Sequence, residues 1–189
     1  MTNETKLRVP ISRADHSQGS PDAPLILLEY GDYECSYCGK AYRVIRHLQQ
    51  TLKNDLRFVF RNFPLASLHP NAMVAAQAAE SAGLQGQFWE MHDILYRNQD
   101  SLDLDSLTNY ATILDLDLTK FLEGMERSEV EEKIRQDIYG GARSGVNGTP
   151  NFFVNGSRFD DDWSYESLLS FLNDLRSQPS RKAPKKKAA

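Results

Sequence analysis

The sequence predicts an α/β fold that is interrupted by a helical insert. Residues 20–63 have the pattern of a strand, a helix and a second strand, and residues 149–176 have that of a β-hairpin followed by a helix. Between them, residues 64–148 contain stretches with helical spacing and no internal repeat. With 189 residues, 40% of them hydrophobic, the chain is expected to form one domain with a full core.

The opening segment is predicted to form a strand, a helix and a second strand. Residues 25–30, LILLEY, are a short apolar run typical of a strand that is buried on both faces. From Cys38 onward, apolar side chains recur at steps of three and four residues, which places them on one face of a helix with Cys35 at its N-terminus. Those side chains are Ala41, Tyr42, Ile45, Leu48 and Leu52. Residues 56–63, LRFVFRNF, are rich in aromatic and branched side chains and predict the second strand.

The insert is predicted to consist of several helices. Pro70 can begin a helix through an alanine-rich run that Gly83 can end, and residues 87–96 form a second amphipathic segment. Further helices are predicted from candidate caps at Asp105, Asp117 and Ser128. Ser128 and Glu131 have the spacing of a capping box.

The closing segment is predicted to form a hairpin and a helix. The glycine-rich residues 140–148 are expected to be a flexible return loop. The Asn155-Gly156 dipeptide favours the two positive φ angles of a type I′ turn. Ser164 can cap the last helix, whose core-facing side chains are Leu168, Phe171, Leu172 and Leu175.

Both ends of the chain are expected to lie outside the packed domain. Residues 1–19, which include His16, are predicted to be a mobile lead-in without the apolar region of a signal peptide. Residues 177–189 have no apolar side chain except alanine, so they are expected to form a flexible basic tail. The longest apolar stretch, residues 23–28, falls far short of the roughly 20 residues that a membrane span needs. The sequence therefore predicts no transmembrane segment and a cytoplasmic location.

The charge distribution argues against nucleic-acid binding. The chain has 26 acidic and 22 basic residues, for a formal net charge of −4. Five of the basic residues lie together near the end, namely Arg181, Lys182, Lys185, Lys186 and Lys187. The body is therefore more acidic than the whole chain, whereas duplex affinity depends largely on cationic side chains that meet phosphates. Nucleic acid is not an expected partner.

Two cysteines form the motif with the clearest chemical meaning. Cys35 and Cys38 flank Ser36 and Tyr37 at the predicted junction of strand and helix, so their sulfurs are close enough to bridge. Unpaired N–H groups and the positive end of the helix dipole stabilise the thiolate of Cys35, which is the nucleophilic form. Cys38 lies deeper in the helix and is expected to be a weaker nucleophile, suited to resolving a mixed disulfide.

An incidental CxxC spacing is one alternative for the same two cysteines, and a zinc site is another. His47, His69 or His92 would then complete the coordination. Structural zinc usually requires four ligands, and the sequence has no second closely spaced pair. A metal site is therefore not expected.

Two further segments carry a family resemblance. Residues 29–42, EYGDYECSYCGKAY, resemble the active-site segment of the DsbA-like branch of the thioredoxin superfamily, and residues 145–156 resemble that family's cis-proline loop and central hairpin. The resemblance implies a thioredoxin-like core of residues 20–63 and 149–176 with an inserted helical subdomain, residues 64–148. It also implies thiol:disulfide exchange that needs no cofactor beyond the cysteines.

The resemblance assigns roles to the residues around the cysteines. It implies that Cys35 attacks, that Cys38 resolves, and that Pro150 adopts a cis peptide beside the sulfurs. The Thr149 backbone would then face an extended substrate segment able to pair with it. A trans proline that enters a strand is the alternative for the same position.

Two acidic residues precede the motif. Glu29 lies in the buried strand, where thioredoxin-like proteins often place an acidic residue beneath the active site. Burial would raise its pKa and allow it to accept and return the proton of Cys38. A solvated glutamate at the sheet edge is the alternative. Glu34 is expected to be exposed and to act only through its charge.

The motif departs from the family pattern between the cysteines. Ser36 stands where proline is frequent, and Tyr37 replaces the histidine of the strongly oxidising members. A cation that stabilises the thiolate is thereby lost, so a less oxidising couple is expected.

The predicted function is that of a cytoplasmic thiol:disulfide oxidoreductase. The expected partners are proteins that carry a thiol or disulfide, or a small thiol such as glutathione. The net direction of exchange stays open at this point. The alternative is a noncatalytic thioredoxin-like binding module.

Overall fold

A computed structural model describes residues 5–177 of the chain. The strands in this range are β1 (His16–Gln18), β2 (Leu25–Gly31), β3 (Leu56–Asn62), β4 (Asn151–Val154) and β5 (Ser157–Phe159). The α-helices in it are α1 (Ser36–Leu52), α2 (Ala72–Leu84), α3 (Phe88–Arg97), α4 (Leu104–Ile113), α5 (Leu118–Met125), α6 (Ser128–Arg143) and α7 (Tyr165–Ser177). The predicted α/β order with a helical insert is confirmed.

The sheet places β2 at its centre. Its strands have the order β1-β3-β2-β4-β5, with β2 parallel to β3 and the other neighbours antiparallel. Helix α1 connects the two parallel neighbours β2 and β3. The N-terminus of α1 therefore lies just beyond the carboxyl end of the central strand β2. The turn between β4 and β5 has positive φ angles of 47° at Asn155 and 79° at Gly156, as the predicted hairpin requires.

The two faces of β2 pack into different hydrophobic clusters. Leu25 and Leu27 belong to a large cluster that includes the buried faces of α1, α3 and α7. Leu28 and Tyr30 belong to a smaller cluster on the opposite face, against Phe153 of β4. Side chains alternate along a strand, so Glu29 faces the same side as Leu27 and therefore lies under α1.

Two predicted helix boundaries in the insert are wrong. Asp103, not Asp105, caps α4: its backbone is extended and its side chain accepts the N–H of Ser106 at 3.0 Å, whereas Asp105 is already helical. The capping box at Ser128 does not form, because Ser128 is itself the first helical residue of α6 and Arg127 occupies the N-cap. The cap at Asp117 is present.

Glycines that were predicted to end a helix or to form a loop in the insert lie inside helices. Gly83 lies inside α2, which ends one residue later. Helix α6 continues through Arg143, so residues 140–143 of the predicted flexible loop are helical. The two glycines in this last turn, Gly140 and Gly141, are buried. A Cβ on Gly141 would lie 2.8 Å from the ring of Phe63 and 3.0 Å from that of Tyr30. The absence of a side chain at Gly141 thus serves close packing of α6 on the sheet.

Residues 5–19 of the predicted mobile lead-in pack against the domain, contrary to the prediction. His16 lies in β1, and its ring stacks on Phe88 with 3.4 Å between centroids. Leu7 donates its N–H to the carbonyl of Gly156 beside β5. After Ser177, the predicted basic tail lies outside the residues that the structure describes. Within residues 5–177, no helix is both long and apolar enough to cross a membrane.

Candidate active site

Cys35 and Cys38 lie at the N-terminus of α1. Cys35 is the N-cap residue, with extended backbone angles, and its N–H donates to the carbonyl of Asp32 at 3.2 Å. Its side chain faces the first turn of the helix, where backbone N–H groups lack partners within the helix. Both thiols are free; Cys35 retains 5% of its surface, whereas Cys38 retains none. An incoming sulfur would therefore meet Cys35 first.

The pKa values of the two thiols are shifted in opposite directions. The pKa of Cys35 is lowered to about 5, mainly because the Cys38 thiol donates a hydrogen bond to its sulfur. Burial opposes this shift, and backbone N–H groups of α1 add to it. Burial raises the pKa of Cys38 well above its usual value, and the hydrogen bond to Cys35 adds to that rise. At neutral pH, Cys35 is therefore a thiolate and Cys38 a thiol.

The loop before β4 lies against the first cysteine. The Thr149–Pro150 peptide bond is cis. The Cys35 thiol donates to the carbonyl oxygen of Thr149 over 3.4 Å. This hydrogen bond requires the protonated thiol, so ionisation of Cys35 frees the Thr149 carbonyl to accept another donor. The loop thus presents a backbone acceptor directly beside the reactive sulfur.

Glu29 is buried beneath the cysteines. Only 1% of its surface is exposed, and its Oε1 atom has no hydrogen-bond partner. Burial, and next the negative charge of Cys35, raise the pKa of Glu29 to about 8. The charge of Glu29 in turn contributes to the raised pKa of Cys38. A carboxyl group that titrates near neutral pH therefore lies within electrostatic range of both sulfurs.

A narrow cavity adjoins Glu29. Gln18, Arg46 and Gln49 are among its lining residues, and it is barely large enough for a single water molecule. The side chain of Arg46 is 41% exposed, so the cavity extends from the buried carboxyl group toward the surface.

The shifts at Glu29 and Cys35 predict opposite pH dependences for the free energy of unfolding of the reduced protein. The pKa of Glu29 is raised, so its stabilising contribution is complete below pH 4.5 and is lost as the pH rises to about 8. The pKa of Cys35 is lowered, so its contribution is complete above pH 9.0 and is lost as the pH falls to about 5. In the wild-type protein the two trends oppose each other.

Single substitutions should separate the two trends. Between pH 5 and 8, the unfolding free energy of Glu29→Gln should rise with pH relative to that of the wild-type protein, and that of Cys35→Ala should fall relative to it. Either difference in slope is at most about 1.4 kcal/mol per pH unit. Urea unfolding of the three reduced proteins at several pH values measures both differences. Differences of the same sign in the two variants would contradict the assignment.

Ser36 and Tyr37 are the first two residues of α1 and point away from the core. Tyr37 is 58% exposed, and the ammonium group of Lys40 lies 5.0 Å from the centre of its ring. Glu34 is half-buried, contrary to the prediction: its carboxylate accepts the backbone N–H of Asn71 at 2.6 Å. Asn71 is the N-cap residue of α2, although its side chain makes no capping hydrogen bond, and free N–H groups at a helix start need acceptors such as Glu34.

Sequence reasoning missed Asp32. The side chain of Asp32 is fully buried and accepts three donors: the N–H groups of Glu34 at 2.9 Å and Leu65 at 2.8 Å, and Nδ1 of His69 at 2.8 Å. It thereby joins the turn before Cys35 to the loop that follows β3. Asp32 lies within the segment that carries the family resemblance, so its position was a usable signal.

Gln99, after α3, was also missed. Its amide Nε2 donates to the carbonyls of Tyr33 at 2.7 Å and Cys35 at 2.9 Å. A Cβ on Gly39 would lie 1.9 Å from Oε1 of the same side chain, so glycine at this position makes room for it. Gln99 is 64 residues away from Cys35 in sequence, and no local pattern points to this contact.

The histidines do not complete a zinc site. His47 stacks on Tyr165, and the buried ring of His92 lies 3.1 Å from the hydroxyl of Tyr33. Burial lowers the pKa of His92 to about 3. Among residues 5–177, no group of three or more His, Cys, Asp or Glu side chains is placed to hold a metal ion.

Comparisons with known proteins agree on the fold. A family model described as thioredoxin (Thioredoxin_4) matches residues 12–174. A thioredoxin-like oxidoreductase from Silicibacter pomeroyi DSS-3 is similar in structure, with a TM-score of 0.79 at 25% identity, over 89% of this chain and 95% of that one. Oxidised BdbD from Bacillus subtilis has a TM-score of 0.79 at 20% identity, over 92% and 98% of the two chains. The likeness to BdbD shows the fold alone.

Curated relatives with higher identity are much longer proteins. The Na(+)/H(+) antiporter NhaA 1 of Salinispora arenicola is 45% identical over 163 residues, which is 86% of this chain. The same match covers 25% of the antiporter, so the chain spans about a quarter of the length of this relative.

Proposed function

Since the chain belongs to the thioredoxin family and its active-site segment resembles that of the DsbA-like branch, we propose that it is a thiol:disulfide oxidoreductase that cycles Cys35 and Cys38 between dithiol and disulfide. The observation that carries this proposal is the asymmetry of the two sulfurs. One is the less buried sulfur, with a lowered pKa at a helix N-terminus, and the other is a fully buried thiol with a raised pKa. Such a pair suits attack by the first and resolution by the second.

The first chemical step is attack on a substrate disulfide. The Cys35 thiolate attacks one substrate sulfur, a mixed disulfide forms, and the other substrate sulfur leaves as a thiolate. The ionised Cys35 has released the Thr149 carbonyl, which can then accept an N–H group of an extended substrate segment. Pro150 follows this carbonyl in the sequence and would border the same substrate segment.

The second step resolves the mixed disulfide. In the mixed disulfide Cys35 carries no charge, so one cause of the raised pKa of Glu29 is gone. The carboxylate form of Glu29 accepts the proton of Cys38, directly or through one water. The Cys38 thiolate then attacks the sulfur of Cys35, and the bond between Cys35 and the substrate sulfur breaks. The protein is oxidised to the Cys35–Cys38 disulfide, and the substrate leaves as a dithiol after its thiolates gain protons. The reverse sequence oxidises a substrate dithiol, and no other cofactor takes part.

The substrates follow from this chemistry. They are proteins that carry a disulfide or thiol, or a small thiol such as glutathione. The absence of a cation at Ser36 and Tyr37 supports a couple that is less oxidising than that of family members with histidine there. A cytoplasmic location, whose reducing conditions would favour a reductase or isomerase role, stays a prediction, as does the net direction of exchange.

A turnover assay tests the proposed function. The purified protein should accelerate the reduction of insulin by dithiothreitol, because its thiolate is more abundant at neutral pH than that of the free reagent. The Cys35→Ser variant should reduce insulin no faster than dithiothreitol alone. Circular dichroism of both proteins checks that they are folded. A folded wild-type protein without turnover would support the noncatalytic binding module instead.

A further inference from the structure

We propose that His69 is a positioning residue for Cys35: held by Asp32, it supplies near the active-site turn the positive charge that the residues between the cysteines lack. The inference rests on the proposed function, because it concerns the nucleophile of that reaction. It concerns a residue of the loop between β3 and α2, far from the cysteine motif in sequence.

The geometry ties His69 to the turn that carries Cys35. Its Nδ1 atom donates to Oδ2 of Asp32 at 2.8 Å. The backbone carbonyl of the same aspartate accepts the N–H of Cys35 at 3.2 Å. One residue therefore contacts both His69 and the nucleophile, through its side chain and its main chain.

Several hydrogen bonds fix the side chain of Asp32 and, through it, the position of His69. Its side chain is fully buried and also accepts the N–H groups of Glu34 and Leu65. The Leu65 bond fixes the start of the loop that contains His69, and the carbonyl of Leu65 accepts the N–H of His69 at 2.9 Å. The imidazole ring is thus oriented from two sides, while 25% of its side chain stays exposed to take up protons.

The charged groups with the largest effect on His69 favour its protonated form. They are Asp32 and Glu34 in the turn and Cys35 at the start of α1. Burial lowers the pKa of His69, but the hydrogen bond to Asp32 and these three negative charges outweigh it, and the net pKa is raised. The imidazolium is therefore favoured at weakly acidic pH, where Cys35 itself titrates.

The coupling between the two groups is reciprocal. If the Cys35 thiolate favours the imidazolium of His69, the imidazolium must favour the thiolate by the same free energy. The negative charge of Glu34, next to Cys35 in sequence, opposes the thiolate. The ammonium group of Lys40, two residues after the motif, lies over the ring of Tyr37. The effect of His69 should thus appear as a larger thiolate fraction of Cys35 below neutral pH.

Alkylation of Cys35 by iodoacetamide tests the proposal without turnover. In fully reduced protein, His69→Gln should react about two- to fivefold more slowly than wild type at pH 5, because the thiolate fraction falls. At pH 8 the two rates should agree within about twofold, because Cys35 is ionised in both proteins. His47→Gln, on the outer part of α1 against Tyr165, is the matched control and should follow the wild-type profile.

A second measurement leaves His69 in place. The NMR titration of the His69 ring should move to lower pH when Cys35 is replaced by alanine, since one of the facing negative charges is removed. Superimposed alkylation profiles for His69→Gln and wild type, or a His69 titration unaffected by Cys35→Ala, would overturn the proposal. Failure of the proposed function would look different: normal alkylation of Cys35 in a protein that does not turn over disulfide substrates.

Discussion

Replacing Cys38 with alanine is expected to turn the protein into a covalent trap for its disulfide substrates. Attack by Cys35 forms a mixed disulfide whose resolution requires a second sulfur from within the site. Cys38 is that sulfur, because it lies one helical turn away and hydrogen-bonds to Cys35. Its loss should leave most of the protein in complexes that a thiol reductant releases.

The trapping experiment needs a pH at which Cys35 stays ionised without its partner. The Cys38 thiol is the largest cause of the lowered pKa of Cys35, so Cys38→Ala should raise that pKa and slow attack at low pH. Incubation near pH 8 with a protein disulfide, followed by nonreducing electrophoresis and mass spectrometry, avoids this effect. Complexes should contain Cys35 as the linked residue.

Cys35→Ala is the matched control for the trap. It retains Cys38, which is fully buried and has a raised pKa, so few complexes should form. Equal trapping by the two variants would remove Cys35 as the assigned nucleophile. Trapping by neither, in folded protein, would favour the noncatalytic binding module.

The parts of the site that were predictable are those encoded by neighbouring residues. An apolar strand followed by a helical apolar stripe was sufficient to place Cys35 at the start of α1. The Asn155-Gly156 turn depends on the φ preferences of two residues and was equally accessible. Strand alternation oriented Glu29 once the partners of β2 were known, but burial itself required the neighbouring strands β3 and β4.

The parts that were not predictable depend on contacts between distant segments. Gln99 reaches the Cys35 carbonyl from beyond α3, and the His69–Asp32 pair joins loops 37 residues apart. The prediction of a flexible loop at Gly141 was wrong because it relied on residue type alone. A missing side chain can make a loop flexible, but it can also let a helix approach the sheet closely, as it does here. The order of the lead-in has a similar origin, since it is held by a charged side chain of β3.

Arg61 is the charged side chain of β3 that holds the lead-in, and its loss is expected to destabilise the protein strongly. Its guanidinium is buried, as is the carboxylate of Asp15, and the two form a pair of hydrogen bonds at 2.7 and 3.1 Å. The remaining N–H groups donate to the carbonyls of Val9 and Pro10 and to the hydroxyl of Tyr30. All five donors of the guanidinium are therefore used, and the lead-in is fastened to the sheet.

Arg61→Met should lower the free energy of unfolding by about 3 to 5 kcal/mol, because it leaves the buried carboxylate of Asp15 without its cation. Urea unfolding at pH 7 measures the loss. Arg176→Met is the matched control: Arg176 contacts Asp55 at the same 2.7 Å, but both side chains are 45% exposed. Solvent screens that pair, so its loss should cost at most about 1 kcal/mol.

A double variant separates the unpaired charge from the lost packing. If the cost of Arg61→Met arises from the stranded carboxylate, Arg61→Met combined with Asp15→Leu should recover a large part of the stability, since replacing both partners of a buried pair by apolar groups is often nearly neutral. If the cost arises instead from the freed lead-in carbonyls at Val9 and Pro10, the double variant should be no more stable than Arg61→Met alone. Equal losses for Arg61→Met and Arg176→Met would contradict both explanations, because burial is the main difference between the two pairs.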